Sequence, residues 1–236
     1  MIIYIGFDSD QPEAYAVCKA SIERYATYHT IKPLVLSKLK EEGIYKRAYQ
    51  GESTEFAFTR FLVPHLSMFH GNALFCDSDF MWKCDPQEIV QYTNAKHSVY
   101  CVQHPSFLSP KVKMNDKQNM SYYRKYWSSL MYFDNRRCKK LNTEYVNYAP
   151  AGDLHEMNWA DSIGNLPAEF NAMVNYYYFN NPKAVHFTDG GPWLDIHDNL
   201  GYSNEWKKIY RNLQKEKITH IELEFISNPS ETNEFT

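Results

Sequence analysis

Asp77-Ser78-Asp79 places two carboxylates two residues apart, directly after the apolar run Ala73-Leu74-Phe75-Cys76. Such a run reads as a buried strand, and in an open α/β sheet ligands gather at the carboxyl ends of strands. One carboxylate at the strand end and one in the following loop can share a hard divalent cation. The same residues also suit a polar turn closing a strand, because Asp and Ser bond their own backbone in turns. The spacing alone leaves both readings open. The elements around it must decide.

Ile2 to Phe7 predicts a first buried strand ending at Gly6-Phe7-Asp8. Asp10-Gln11-Pro12-Glu13 predicts a helix start, with Asp10 as cap, Pro12 in the first turn and Glu13 returning the bond. Ala14, Val17, Cys18, Ile22 and Tyr25 carry that helix to about Tyr28. Pro33-Leu34-Val35-Leu36 follows as the second strand, and strand-helix-strand implies a parallel sheet of nucleotide-binding type. Lys38 to Gly51 is polar and broken, a helix or loop bordering a site. Ser53 or Thr54 then caps a helix bearing Phe56, Phe58, Phe61, Leu62 and Leu66, with Pro64 as a kink.

Beyond the Asp-x-Asp strand, Asp85-Pro86 opens a short helix through Tyr92, and Ser98 to Gln103 continues as strand. The Lys-rich stretch from His104 to Tyr123 predicts a loop over the cleft. Ser129 to Phe133 is a further strand, with helices from Asn135 to Leu141 and from Thr143 to Asn147. Leu154 to Trp159 and Gly164 to Phe170 are short elements. Ala184-Val185-His186-Phe187 is the last strand, and Trp206, Ile209, Tyr210 and Leu213 mark an amphipathic helix. With no internal repeat or linker, the reading is one domain over residues 1–223 and a polar tail over 224–236.

The totals narrow the class. At 236 residues, 44% hydrophobic and 22% charged, the chain has ample material for a core. A net charge of −3 gives no electrostatic case for a nucleic-acid partner. The 19 Tyr favour sugar or base stacking as much as core packing. Five scattered Cys with no C-x-x-C pair predict reduced thiols and no structural zinc site. Neither a signal peptide nor a window near the roughly 18 apolar residues of a membrane span is evident, so the sequence predicts a cytoplasmic protein.

Six ordered segments give the chain a family resemblance. They are Ile5-Gly6-Phe7-Asp8 with Glu13-Ala14-Tyr15; Glu55 to Pro64; Phe75-Cys76-Asp77-Ser78-Asp79; Arg124 to Met131; Leu154-His155 with Trp159, Ile163 to Pro167 and Asn171; and His186 to Trp193. Together they resemble the GT-A-fold glycosyltransferases, close to the glycogenin-like family eight and a small bacterial and viral branch of nucleotide-sugar transferases. The resemblance implies a single-domain, Rossmann-like α/β fold with a mixed, mostly parallel central sheet flanked by helices.

It also implies a reaction and a set of roles. A nucleotide-sugar donor, a UDP-sugar by family, would pass its sugar to a glycan, glycolipid or protein acceptor. Asp77, Asp79 and His186 would hold a divalent ion, Mn²⁺ before Mg²⁺ given the mixed carboxylate and imidazole set. Phe7 and Asp8 would meet the base and ribose, and Ser78 the ribose or pyrophosphate. Arg60 would pair with the Asp-x-Asp carboxylates or with phosphate. Lys125 and Trp127 would contact donor phosphate and sugar, and Gly190, Gly191 and Trp193 would form a glycine-rich phosphate loop. For several of these a packing role competes: Phe7, Trp127 and Trp193 as core, His186 as a core histidine.

Asp153 and His155 lie near the segment where family-eight enzymes carry Asp-Gln-Asp. If Asn158 matches that motif's trailing Asn, Leu154 takes the place of the Gln, and the resemblance carries over neither the stereochemical outcome nor a nucleophile. Asp153 and Asp189 are the candidate catalytic groups, as sugar-hydroxyl ligand or acceptor base. Tyr122-Tyr123 and Tyr176-Tyr177-Tyr178 are candidates for the acceptor side. Two rivals stand beside this reading: an aspartate-nucleophile phosphatase or phosphotransferase, and a non-catalytic nucleotide- or carbohydrate-binding relic of the same fold.

Overall fold

Alternation along two central strands explains how the sheet is buried on both faces. In β1 (Ile2–Gly6) Ile3 and Ile5 point to one side and Tyr4 to the other. In β3 (Asn72–Cys76) Leu74 and Cys76 join the first side and Ala73 and Phe75 the second. The computed structural model describes residues 1–105, 112–113, 117–118, 124–176, 178–194 and 200–215. Tyr122, Tyr123, Tyr177, most of the expected loop after His104 and the 224–236 tail lie outside these residues.

The remaining elements are α1 (Pro12–Glu23), β2 (Thr30–Leu34), α2 (Leu36–Glu41), α3 (Val63–Leu66), β4 (Phe80–Trp82) and β5 (Val99–Cys101). There follow a two-stranded pair, β6 (Val112–Lys113) and β7 (Lys117–Gln118), then β8 (Leu130–Asp134), α4 (Thr143–Tyr148) and α5 (Ala151–His155). β9 (Ile163–Asn165), β10 (Ala172–Met173), β11 (Ala184–His186) and α6 (Ser203–Lys215) complete the order.

The main sheet has six strands in the order β2-β1-β3-β8-β5-β9. β1 pairs in parallel with β2 and β3, and β5 with β9, while β8 runs antiparallel between β3 and β5. This is the mixed, mostly parallel α/β sheet the sequence implies. A second, three-stranded sheet, β10-β11-β4, sits beyond the end of β3 and is packed against α6 through Met81, Val185, Phe187 and Trp206.

Several local expectations change. α1 stops at Glu23 rather than near Tyr28, and its cap position is Gln11 with no side-chain cap bond. Asp10 instead donates its amide to Asp8 Oδ1 at 3.0 Å, so the turn is built around Asp8. β2 begins at Thr30, because its register against β1 runs from Ile2↔Thr30 to Gly6↔Leu34 and releases Leu36 into α2.

The expected helix after Ser53 is a series of turns, a 3₁₀ turn at Thr59–Leu62 and the single turn of α3. Its aromatic residues bury in different directions, which a single helix face cannot satisfy. Phe56 lies on the bare backbone of Gly6, where a Cβ would meet its ring at 2.4 Å, and Phe58 stacks under Arg47 at 4.2 Å. After β8, a 3₁₀ turn covers only Asn135–Arg137.

Candidate metal and donor site

Asp77 and Asp79 follow β3 as expected, and β4 then returns the chain so that Phe80 pairs with His186 of β11. The Phe187 amide donates to the Asp79 carbonyl at 3.0 Å and continues that ladder. One ligand atom each from Asp77, Asp79 and His186 lies within 4.8 Å of the others. His186 Nε2 is 3.2 Å from Asp79 Oδ1, and the imidazole stacks on Phe80 at 4.4 Å between centroids.

This set fits a divalent ion. Donors bound to one ion at about 2.1 Å and at right angles lie roughly 3 Å apart, the separation at which Asp79 and His186 already stand. Carboxylate oxygen with imidazole nitrogen suits a transition metal such as Mn²⁺.

Arg60 is buried behind Asp77. Its Nη1 is 2.9 Å from Asp77 Oδ1 and also donates to the Ser128 carbonyl at 2.9 Å, while Nε donates to the Phe56 carbonyl at 3.1 Å. The guanidinium lies over the rings of Phe56 and Phe75 as well. The Asp77 amide is held by the Ser129 carbonyl at 2.9 Å. Ser78, between the two carboxylates, is buried.

On the β1 side Phe7 is buried edge-on against Tyr15. Asp8 takes the Asp10 amide on Oδ1 and the Glu55 amide on Oδ2 at 3.3 Å. It borders a cavity of 320 Å³ lined also by Leu36, Lys40, Tyr45, Arg47 and Tyr49. The polar segment after Lys38 therefore does border a cleft.

The loop after β11 is shaped by its glycines. Gly190 has φ +109°, a backbone that side-chain-bearing residues rarely adopt. A Cβ on Gly191 would meet the Trp193 ring at 2.0 Å. Trp193 packs against Phe187 and Trp206, and its Nε1 donates to Gln11 Oε1 at 2.8 Å, tying the loop to the start of α1. Asp189 is hydrogen-bonded by Tyr176, whose hydroxyl pKa burial raises first and that bond, with one to Tyr126, raises further.

Other candidates sit farther round. Lys125 is buried with its ammonium 5.4 Å from the Tyr126 ring centroid. Trp127 lies under the Arg124 guanidinium, gives its Nε1–H to the His104 carbonyl at 2.8 Å, and lines a 530 Å³ cleft with Asn158 and Asp161. Asp153 accepts from Asn158 Nδ2 at 3.1 Å, a bond within its own segment. Leu154 is fully buried, and His155 packs against Phe58 and Phe61 with Nδ1 3.2 Å from Ser128 Oγ.

The sequence assigned no role to Ser129, Asn171 or His104 and named Tyr176 only as an acceptor-side candidate, yet all four surround this site. Asn171 Oδ1 is 2.8 Å from His186 Nδ1, and its Nδ2 donates to Ser129 Oγ at 2.9 Å. His104 is buried, hydrogen-bonded to Asn171, and held neutral with a pKa lowered to about 4 by burial first and His186 second. Asn171 stood in the family resemblance without a role, and it was also legible as a polar residue embedded in the apolar run from Phe170 to Val174.

No protein-family profile matches the chain. Among solved structures, the bifunctional glycosyltransferase WbbM superposes with a TM-score of 0.66 at 15% identity, over 92% of this chain and 50% of WbbM. The galactosyltransferase LgtC, solved with donor and acceptor sugar analogues, superposes with a TM-score of 0.57 at 10% identity, over 90% of this chain and 96% of LgtC. The glycosyltransferase GlyE of Streptococcus pneumoniae TIGR4 gives 0.56 at 11% identity, over 92% and 63% of the respective chains. The chain thus spans only half the length of WbbM, and the fold these likenesses define is GT-A.

Within that fold its sequence has a nearer relative. It is 34% identical over 226 residues to Protein CDI of Arabidopsis thaliana, covering 91% of this chain and 87% of that protein. The chain belongs to the family of Protein CDI.

Proposed function

We propose that this protein is a metal-dependent glycosyltransferase that moves a hexosyl or deoxyhexosyl group from a nucleoside-diphosphate donor, a UDP-sugar, to a hydroxyl on a glycan, glycolipid or protein. The observation that carries the reading is the convergence of Asp77, Asp79 and His186 at the carboxyl end of β3 in a GT-A fold. The description of LgtC and GlyE as glycosyltransferases supports the same class.

Asp77, Asp79 and His186 would hold Mn²⁺, which when bound neutralises charge developing on a diphosphate leaving group. Arg60 holds Asp77 in place from below, so in this reading it serves the phosphate only through that carboxylate. Asp8 and the adjoining cavity take the nucleoside, while Phe7, buried against Tyr15, lies beside Asp8 and outside the cavity lining. The Gly190 N–H is donated to the Phe187 carbonyl at 2.9 Å, so in this reading the turn would offer the Gly191 N–H to the diphosphate. Asp189, aligned by Tyr176, is the preferred group to orient or deprotonate the acceptor, with Asp153 second.

Asp77 is engaged by Arg60 and Asp79 faces His186, which supports ligand roles for both carboxylates and not attack on phosphorus. No described helix is long and apolar enough to cross a membrane.

A panel of nucleotide sugars, each with and without Mn²⁺, should raise the thermal stability of the protein for one donor only when metal is present. That donor should then turn over or slowly hydrolyse, and Asp77→Ala with Asp79→Ala should abolish both effects. Turnover that persists in EDTA would remove the metal from the reading. Hydrolysis of simple phosphate monoesters without sugar-nucleotide turnover would replace it with phosphatase chemistry.

A further inference from the structure

We infer that Asn171 is a positioning residue that fixes which nitrogen of His186 carries the proton, through a directed hydrogen-bond chain ending on the Tyr126 carbonyl. The inference rests on the metal-ligand reading of His186.

The direction of the chain follows from its far end. Ser129 Oγ lies 2.7 Å from the Tyr126 carbonyl, which can only accept, so the hydroxyl proton points there. Ser129 Oγ must then accept from Asn171, and only the amide nitrogen can donate. That orients the carboxamide: Nδ2 faces Ser129 and Oδ1 faces His186. Oδ1 has no proton to give, so His186 Nδ1 must donate across the 2.8 Å contact. In the neutral ring Nε2 is therefore the lone pair, and Nε2 is the atom beside Asp79. The opposite carboxamide orientation would set Asn171 Oδ1 against a Ser129 hydroxyl whose proton is already given to Tyr126. His104, also bonded to Asn171, fits either the second lone pair of Oδ1 or the second hydrogen of Nδ2.

Two further observations indicate that the fold maintains this chain. Asn171 is 0% exposed, so bulk water does not compete for its carboxamide. Tyr126 has φ +70°, an uncommon backbone for a residue other than glycine, and this left-handed turn presents its carbonyl to Ser129. The Ser129 carbonyl meanwhile holds the Asp77 amide. One residue thus anchors the Asp77 limb by its main chain and the His186 limb by its side chain. Outer-sphere acceptors on metal-binding imidazoles work in this way, fixing tautomer and ring direction.

The test uses the full-length protein and Mn²⁺ alone, with free ion measured by its electron paramagnetic resonance signal. Asn171→Ala should weaken Mn²⁺ binding by about 10- to 100-fold, the usual cost of losing an outer-sphere partner. Asn171→Asp should stay within about threefold of the parent, because a carboxylate still accepts from Nδ1–H. Ser129→Ala should fall between. Two-bond ¹H–¹⁵N spectra of the metal-free parent, at a pH where the ring is neutral, should show Nδ1–H on His186. Equal affinities for Asn171→Ala and the parent overturn the inference, as does an Nε2–H ring in the parent. If Asn171→Ala does not fold, the parent tautomer decides. A parent protein that binds no Mn²⁺ removes the metal reading, while the spectrum still tests the chain.

Discussion

Arg60 and Asp77 form an ion pair at 2.9 Å with side chains only 7% and 13% exposed. The guanidinium has further acceptors in the carbonyls of Phe56 and Ser128, so the pair belongs to a hydrogen-bonded network. One end of a candidate metal site is therefore charge-compensated by the protein itself. A bound cation adds to that compensation.

Removing Arg60 leaves a buried carboxylate with its partner gone. Arg60→Met should cost about 3 to 5 kcal/mol by urea denaturation in EDTA, and less with saturating Mn²⁺. Arg60→Lys should recover only part of the loss, because one ammonium cannot meet acceptors arranged for a planar fork. A loss under about 1 kcal/mol would mean the pair is a surface contact in effect.

Gly191→Ala should destabilise by about 1 to 3 kcal/mol, since the added methyl meets the Trp193 ring at 2.0 Å and that ring is packed on Phe187 and Trp206. Trp193→Phe, which loses the Gln11 bond, should cost about 1 kcal/mol. Both are read by equilibrium unfolding. A Gly191→Ala protein as stable as the parent would show that the loop has room to shift.

His155 sets an expected acid limb. Burial first, then Arg60 and Arg47, lower its pKa from 6.5 to about 3. Between those values the unfolded chain binds a proton that the folded protein refuses, so stability is full above pH 6.5 and falls as pH drops toward 3. His155→Gln should flatten melting temperature against pH across that window. An unchanged slope would place the acid lability elsewhere, with His104 the next group to test.

All five cysteines are free and buried, and burial raises the thiol pKa of Cys18, Cys84, Cys101 and Cys138. A thiol reagent should therefore titrate almost none in the native protein and all five after denaturation. Fast native reaction at any one would identify a local opening.

Asp189→Asn should lower turnover at least about tenfold while leaving Mn²⁺ affinity unchanged, the pattern of a group acting on the acceptor. Asp153→Asn should do less, since its carboxylate bonds within its own segment. The reverse order would move the acceptor chemistry to α5.

The strands were the most legible part of the fold. β1, β3, β8 and β11 are short apolar runs buried on both faces, and that composition survives any packing arrangement. The segment from Ser53 to Leu66 was not legible as turns. Its spacing suits a helix, but Phe56 and Phe58 have separate tertiary partners in Gly6 and Arg47, and these outweigh the periodicity.

Two carboxylates at the end of a buried strand were already implied by the residues alone, because an apolar run stopping at Asp-Ser-Asp carries them to the strand's exit. The identity of their neighbours was a tertiary decision. His186 lies more than one hundred positions away in sequence and arrives only because β11 pairs with β4, opposite Phe80. Arg60 reaches Asp77 from a turn segment, and Asn171 reaches His186 because β10 lies beside β11. Sequence spacing encodes the direction of a side chain on its own strand. Which charges and dipoles face one another across strands depends on register and packing, and these form only when the chain is folded.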